Sequence, residues 1–192
     1  MSEEFAEPPW RKELDAAQEL QLVPPAAKIS GMFLMPLVNE LKRIEPDLPA
    51  AKQRYVAFNF YPLRDHVELL IETARRVFPD RPLRQALRAL GRGAPNAFTA
   101  STLGRVVLGS TEGVEARLAA IAKGYELNMR PGKGAIIESA ARRIVVRLEA
   151  VHYFLDCHHV GVFEGTIKQA GVAGRVLYAQ RGTATADFAI EW

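Results

Sequence analysis

The strongest constraint on the fold is a run of apolar residues at helical spacing over residues 61–110, broken at intervals by proline and glycine. Asp65 followed by Glu68 predicts a capping box, in which each side chain binds a free backbone N–H at a helix start. The helix that begins there is expected to stop at Pro79. Pro82 suits the first turn of the next helix, where its missing N–H has no cost. The stretch therefore predicts several short, sequential helices.

Glycine and proline set the remaining helix limits in this part of the chain. Gly91 and Gly93 are expected to end the second helix, since glycine accepts the positive φ of a helix C-terminus. A third helix is predicted after Pro95, and another over residues 111–127. Further upstream, Ser30 is a candidate N-cap for an apolar helix.

The pattern changes after Pro131. Residues 144–149 alternate between apolar and charged side chains, which predicts a half-buried strand. A second strand is expected over residues 150–155, a helix over 158–169 and a closing hairpin over 176–192. Helices first and antiparallel strands later indicate the α+β class. We expect a helical N-terminal part packed on a C-terminal four-stranded antiparallel sheet with one inserted helix.

Composition limits the other properties. A chain of 192 residues with 48% hydrophobic residues can bury a core without metals or disulfides. No apolar run approaches the roughly 20 residues that cross a bilayer. Cys157 is the one cysteine, so an internal disulfide is impossible and a reducing, cytoplasmic location is expected. We divide the chain into an acidic, proline-containing arm over residues 1–28 and a single α+β domain over residues 29–192.

A series of short motifs carries a family resemblance. In chain order they are Gly31-Met32, Leu37-Val38, Tyr61-Pro62, Leu69-Leu70, Ala89-Leu90-Gly91-Arg92, residues 101–105 and Gly161-Val162-Phe163-Glu164-Gly165. In this order they make the chain similar to an uncharacterised family known mainly from myxobacteria. More distantly, the chain resembles haem-nitric-oxide/oxygen-binding sensor domains and vinyl-reductase-like small-molecule-binding domains. The resemblance implies a sensor-like domain with a pocket between its helical part and its sheet.

Two departures from the haem sensors bear on the cofactor. Those sensors hold iron through a histidine before a central Pro-Gly segment, and the haem propionates through a Tyr-x-Ser-x-Arg motif. Here residues 124–130, which precede Pro131-Gly132, contain no histidine, and no Tyr-x-Ser-x-Arg occurs in the chain. Iron needs an axial donor and propionates need a paired cation. We therefore predict that no haem is bound in that way, and we expect no other cofactor.

The most reactive side chains in the sequence are Asp156, Cys157, His158 and His159, with His152 nearby. They could form a metal site, or a thiol nucleophile with an imidazole base. Adjacent side chains rarely converge on one ion, however, and neighbours on a strand face opposite sides. We favour a strand-to-helix junction in which Cys157 is a small buried hydrophobe. The sequence thus predicts no catalytic, cofactor-binding or metal-binding residue.

Arginine recurs at helical spacing at positions 81, 84, 88 and 92, which places these side chains on one helix face. Such a face could bind phosphate, a cyclic dinucleotide or nucleic acid. A solvated face opposite the apolar side explains the same spacing and is the interpretation that we favour. No known nucleic-acid motif supports binding there.

These observations predict a non-enzymatic sensor or small-molecule-binding regulatory domain without haem. No paired acid and base motif indicates an enzyme. The ligand is expected to be a small apolar molecule, and the output a conformational change that another protein reads. The alternative is a protein-interaction or scaffold domain that has no small ligand and forms a homo-oligomer.

Overall fold

The computed structural model of the protein describes residues 4–100 and 113–192. Its helices are α1 (Ala16–Gln21), α2 (Leu34–Ile44), α3 (Leu63–Val77), α4 (Leu83–Ala100), α5 (Gly113–Asn128) and α6 (Val160–Gln169). Its strands are β1 (Lys28–Ser30), β2 (Phe60–Pro62), β3 (Met129–Arg130), β4 (Lys133–Ala140), β5 (Arg143–Glu149), β6 (Arg175–Gly182) and β7 (Thr185–Glu191). A single π-helical turn, Leu155–His159, leads into α6. Within the described ranges, no helix has the length and apolar character to cross a membrane.

The strands form two antiparallel sheets. The larger one has the order β4-β5-β7-β6, and α6 is inserted in the chain between β5 and β6. The smaller one has the order β2-β1-β3 and ties the start of the helical part to the end of α5. The predicted α+β class, the four-stranded antiparallel sheet and its inserted helix are confirmed.

One strand was placed wrongly from the sequence. Residues 150–155 do not form a strand. Strand β5 pairs with β7 on one side and with β4, which precedes it in the chain, on the other. Ala150 and Phe154 have φ values of 54° and 43°, which an extended strand does not tolerate. Strand β4 lies at the sheet edge with most of its side chains exposed, so it lacks the apolar alternation of β5.

Two helix starts also differ from the prediction. Helix α3 begins at Leu63, two residues before Asp65, and its N-cap residue Pro62 has no capping side chain. The capping box is therefore wrong, because Asp65 already lies inside the first turn. Ser30 occupies the N-cap position of a 3-10 turn, Gly31–Phe33, that leads into α2, but its side chain forms no capping bond, since its hydroxyl donates to the carbonyl oxygen of Ala57 at 2.5 Å.

The two helices predicted on either side of Gly91 and Gly93 are one continuous helix, α4, which also contains Pro95. The expected helix end at Gly91 is wrong because this glycine serves close packing and not a turn. A Cβ atom added to Gly91 would lie 2.1 Å from the carbonyl oxygen of His158. Any continuation of the predicted helix beyond residue 100, and the motif at residues 101–105, lie outside the described residues.

Helices α4 and α6 cross at very short range through glycine. A Cβ atom at Gly161 would lie 2.1 Å from the Arg88 carbonyl oxygen, and one at Gly165 would lie 2.3 Å from that of Arg92. On its opposite side α6 packs on the large sheet, where the rings of Phe163 and Phe188 are 4.9 Å apart. Helix α6 is therefore the central layer between α4 and the sheet.

Residues before β1 lie against this body. Ala6 forms two backbone hydrogen bonds with Tyr178 on the outer edge of β6. The guanidinium of Arg84, a buried residue of α4, donates to the carbonyl oxygens of Lys12 and Glu13. The segment is thus held at two places by contacts to its backbone.

Candidate functional site

A cluster of six rings lies where the helical part meets the segment that leaves β5. Its members are His66 of α3, Tyr125 of α5, Tyr153 and Phe154 of the connecting segment, and His158 and His159 of the π-helical turn. Tyr153 is at the centre, with its ring centroid 4.6 Å from that of His159 and 5.4 Å from that of His66. All but the half-buried Tyr125 are shielded from solvent. We call this set the ring cluster.

The imidazoles of the ring cluster are only partly hydrogen-bonded. The hydroxyl of Tyr125 lies 2.7 Å from Nδ1 of His159, and Nδ1 of His158 lies 3.3 Å from the carbonyl oxygen of Leu87. A carbonyl oxygen only accepts, so Nδ1 of His158 carries the proton. Within residues 4–100 and 113–192, Nδ1 of His66 and Nε2 of His159 have no hydrogen-bond partner.

Burial keeps these imidazoles neutral. Burial lowers the pKa of His66 to about 3, and the nearby His158 contributes to the same shift. Burial lowers the pKa of His158 to about 4 and brings the pKa of His159 well below its ordinary value. The pKa of Tyr153 is raised by burial as well. At neutral pH the ring cluster therefore carries no charge.

The reactive run identified in the sequence is spread over different neighbours. Asp156 forms an ion pair with Arg84, while His158 and His159 belong to the ring cluster. Cys157 is 1% exposed, and burial raises its thiol pKa well above the usual range. Cys157 is buried as the sequence predicted, but these residues follow the irregular segment after β5 and form the π-helical turn before α6, since residues 150–155 are not a strand. Across the described ranges, no three histidine, cysteine, aspartate or glutamate side chains lie close enough to hold a metal.

The sequence favoured a solvated arginine face, and this is wrong for Arg84 and Arg88 but not for the other two arginines. Arg81 precedes α4 and is exposed, and the side chain of Arg92 is 53% exposed. Arg84 is 5% exposed, and Arg88 and Arg92 both pair with Glu164 of α6. Burial alone would raise the pKa of Glu164, but hydrogen bonds from Arg88 and Arg92 hold it below the ordinary value. The interpretation fails at Arg84 and Arg88 because the N-terminal segment and α6 cover these two side chains. No local sequence signal identifies partners more than 70 positions away.

A cleft opens beside the ring cluster, with a cavity volume of about 230 Å³. One wall is formed by Glu19 and Leu22, which lie at the end of α1. The floor is the connecting segment, residues 152–156, and the far wall comes from the β6–β7 hairpin with Tyr178. We call this space the arm cleft, because residues of the N-terminal arm form one side of it.

The arm cleft contains two polar groups in unusual surroundings. The hydroxyl of Tyr178, a residue 9% exposed, has no hydrogen-bond partner among the described residues. Burial raises the pKa of Glu19, and the negative charge of Asp156 raises it further. A buried hydroxyl without a partner costs free energy unless another molecule supplies one.

A second, larger groove of about 320 Å³ lies over α3 and is lined by Asp65, Glu68 and Glu72 among others. Its glutamates already have partners on the same helix, since Glu68 pairs with Arg64 and Glu72 with Arg76. We therefore take the arm cleft as the candidate site. Sequence reasoning missed Glu19 and Tyr178 because nothing local distinguishes them from an ordinary surface acid and an ordinary strand tyrosine.

The fold is similar to solved structures of H-NOX proteins. It matches an H-NOX mutant from T. tengcongensis at 12% identity and a TM-score of 0.64, covering 85% of this chain and 97% of that one. It matches an Fe(II) unliganded H-NOX mutant from K. algicida at 12% identity and a TM-score of 0.63, covering 85% of this chain and 96% of that one. It also matches an S. oneidensis H-NOX protein in the Fe(II)NO state at 14% identity and a TM-score of 0.59, covering 85% of this chain and 98% of that one. At these identities the likeness concerns the fold.

Residues 24–192 match the model of the family described as "Protein of unknown function (DUF2378)", and the chain belongs to that family. No curated protein matches the chain significantly. The predicted resemblance to an uncharacterised family, with a distant likeness to haem-nitric-oxide/oxygen-binding domains, is confirmed. The myxobacterial origin of the family stays a prediction.

Proposed function

We propose that this family member is a non-enzymatic, haem-free regulatory domain that binds a small molecule in the arm cleft. The observation that carries the proposal is that the arm cleft and the ring cluster share one segment. Tyr153 and Phe154 line the cleft, and the same two rings pack within the cluster. A molecule bound in the cleft therefore contacts the centre of the fold directly.

Haem does not fit the side chains of the ring cluster. Nδ1 of His66 and Nε2 of His159, which have no partner among the described residues, are of the type that iron binds. Their rings, however, already pack on Tyr153 at centroid distances of 5.4 and 4.6 Å, which leaves no space for a porphyrin between them. The sequence adds that no histidine precedes Pro131 closely and that none of the five tyrosines begins a Tyr-x-Ser-x-Arg motif.

The connecting segment gives the site a route to the rest of the molecule. It continues into the π-helical turn, whose His158 carbonyl lies against Gly91 of α4. Phe154 has a left-handed backbone, which costs free energy and is held in place by its neighbours. A ligand that favours one arrangement of this segment would shift α4 relative to the sheet, and another protein would read that shift.

The proposal gives the arm, residues 1–28, a separate role from the single domain over residues 29–192. Glu19 and Leu22 of the arm close one side of the cleft, and Arg84 holds the carbonyls of Lys12 and Glu13. Ligand binding would therefore also set how firmly the arm is held. We place the domain in the cytoplasm, where its buried cysteine stays reduced.

The proposal predicts a bound small molecule. Denaturing the purified full chain should release one that mass spectrometry detects, and adding it back at a hundredfold excess over its Kd should raise Tm by roughly 5–10 °C. Leu22→Arg, which blocks the cleft, should abolish the rise. Leu127→Arg changes a similarly exposed leucine outside the cleft and should preserve it.

The alternative scaffold function makes the opposite prediction. The proposal would be contradicted if the purified chain released no small molecule and if no fraction of a cell extract changed its Tm. A rise in Tm that survives Leu22→Arg would also contradict it, because the ligand would then lie outside the arm cleft.

A further inference from the structure

Negative charge exceeds positive charge at the arm cleft. Glu19 and Asp156 face the cavity, and the neighbouring cation is Arg84 of α4. Arg84 is already occupied, since it binds Asp156 and the carbonyl oxygens of Lys12 and Glu13. Glu19 receives a backbone N–H from Phe154, and its pKa is raised by burial and by the charge of Asp156. A cation entering the cleft would relieve this imbalance.

The hydroxyl of Tyr178, which has no hydrogen-bond partner in the described part of the chain, is a second and independent sign of a ligand. The residue lines the same cavity, and its pKa is raised by burial and by the nearby charges of Asp156 and Glu19. A buried hydroxyl of this kind can accept a hydrogen bond from a ligand donor. Glu19, Asp156 and Tyr178 therefore mainly offer hydrogen-bond acceptors to a ligand that donates.

Apolar surface lies beside these acceptors. The cavity is also lined by Tyr153, Phe154 and Leu155. Aromatic rings attract organic cations through their π faces, and they bury the apolar part of such a molecule. His152 lines the cleft as well, and burial lowers its pKa, so it adds no positive charge at neutral pH.

We infer that the arm cleft binds a small organic cation, a protonated amine on an aromatic or short aliphatic body. This assignment rests on the proposed function and replaces the purely apolar ligand expected from the sequence. The ammonium lies between the Glu19 carboxylate and the Tyr178 hydroxyl, and the body lies against Tyr153 and Leu155. A metal ion is the poorer match, since no three suitable ligands converge within the described part of the chain.

Three isosteric probes test the charge of the ligand. Calorimetric titration of the full chain at pH 7.5 would compare benzylamine, benzyl alcohol and benzoate, which share one ring and differ in charge. We expect saturable binding of benzylamine, with at least about tenfold weaker binding of the alcohol and of benzoate. Benzylamine that does not bind, or benzoate that binds as tightly, would overturn the inference.

Substitutions then locate the site. Glu19→Gln should weaken benzylamine binding at least about tenfold, because it removes the charged acceptor. Tyr178→Phe keeps the ring and should weaken it about two- to tenfold. Glu13→Gln makes the same charge change on an exposed side chain of the arm and should leave affinity within about twofold. Equal losses in Glu13→Gln and Glu19→Gln would overturn the inference.

The failure of this inference can be told apart from that of the proposed function. A neutral or anionic molecule released from the protein, with a Tm effect that Leu22→Arg abolishes, would overturn the cation assignment and leave the regulatory site standing. The absence of any bound molecule, together with no binding of benzylamine, would overturn both.

Discussion

The free energy of unfolding is expected to fall by up to about 4 kcal/mol per pH unit as the pH drops from about 6 to about 5. His66, His158 and His159 have pKa values in the fold that lie below the ordinary 6.5, because burial disfavours the imidazolium. Below pH 6.5 the unfolded chain binds three protons that the fold rejects. Stability is therefore complete above that pH and is lost as the pH falls toward about 4.

Urea unfolding followed by circular dichroism at several pH values measures this slope. His66→Phe keeps a ring against Tyr153 and removes one titrating group, so the slope should decrease by about one third. His152→Gln is the matched control, since His152 is only partly buried and should contribute much less. A stability that is flat from pH 7 to 5, or a His66→Phe slope equal to that of the wild type, would show that the imidazoles are not buried as described.

Two nearby glycines of α4 are expected to respond oppositely to alanine. Gly91→Ala should lower the free energy of unfolding by about 2 kcal/mol or more and Tm by roughly 4–8 °C. Its new Cβ would lie 2.1 Å from the backbone oxygen of His158, so backbone must move. This cost outweighs the gain of about 1 kcal/mol that alanine brings to a helix interior.

Gly93→Ala is the control on the same helix. A Cβ atom there meets no heavy atom of the described residues within 4 Å, so only the gain in helix propensity remains. We expect stabilisation of up to about 1 kcal/mol and a Tm higher by roughly 2–4 °C. If both variants were stabilised to the same extent, the close crossing of α4 with the π-helical turn and α6 would be wrong.

The class of the fold could be predicted because it depends on local patterns. The helical spacing of apolar residues predicted the helical part. The alternation of apolar and polar residues in β5, together with the final hairpin, predicted most of the large sheet. Errors arose where tertiary contacts override a local signal. Gly91 has the residue type of a helix end, but it is required by a neighbouring backbone, and Pro95 is accommodated within the same helix. Strand β4 was missed because an exposed edge strand needs no apolar alternation.

The candidate site was less predictable than the fold. His158 and His159 attracted attention as possible metal ligands, whereas their actual neighbours are Leu87 and Tyr125, which lie 71 and 34 positions away. Glu19 and Tyr178 lie near opposite ends of the chain, and only the docking of the arm on the hairpin brings them to one cleft. Sites assembled from such distant residues leave no spacing pattern in a single sequence.

The proposal that the ring cluster fills the space where the helical part meets the segment leaving β5, and that the protein therefore holds no haem, is tested most directly by titrating the purified chain with haem. The absorption spectrum should show only the broad band of unbound haem, without a Soret band that saturates. A sharp Soret band that saturates at one haem per chain would contradict the account.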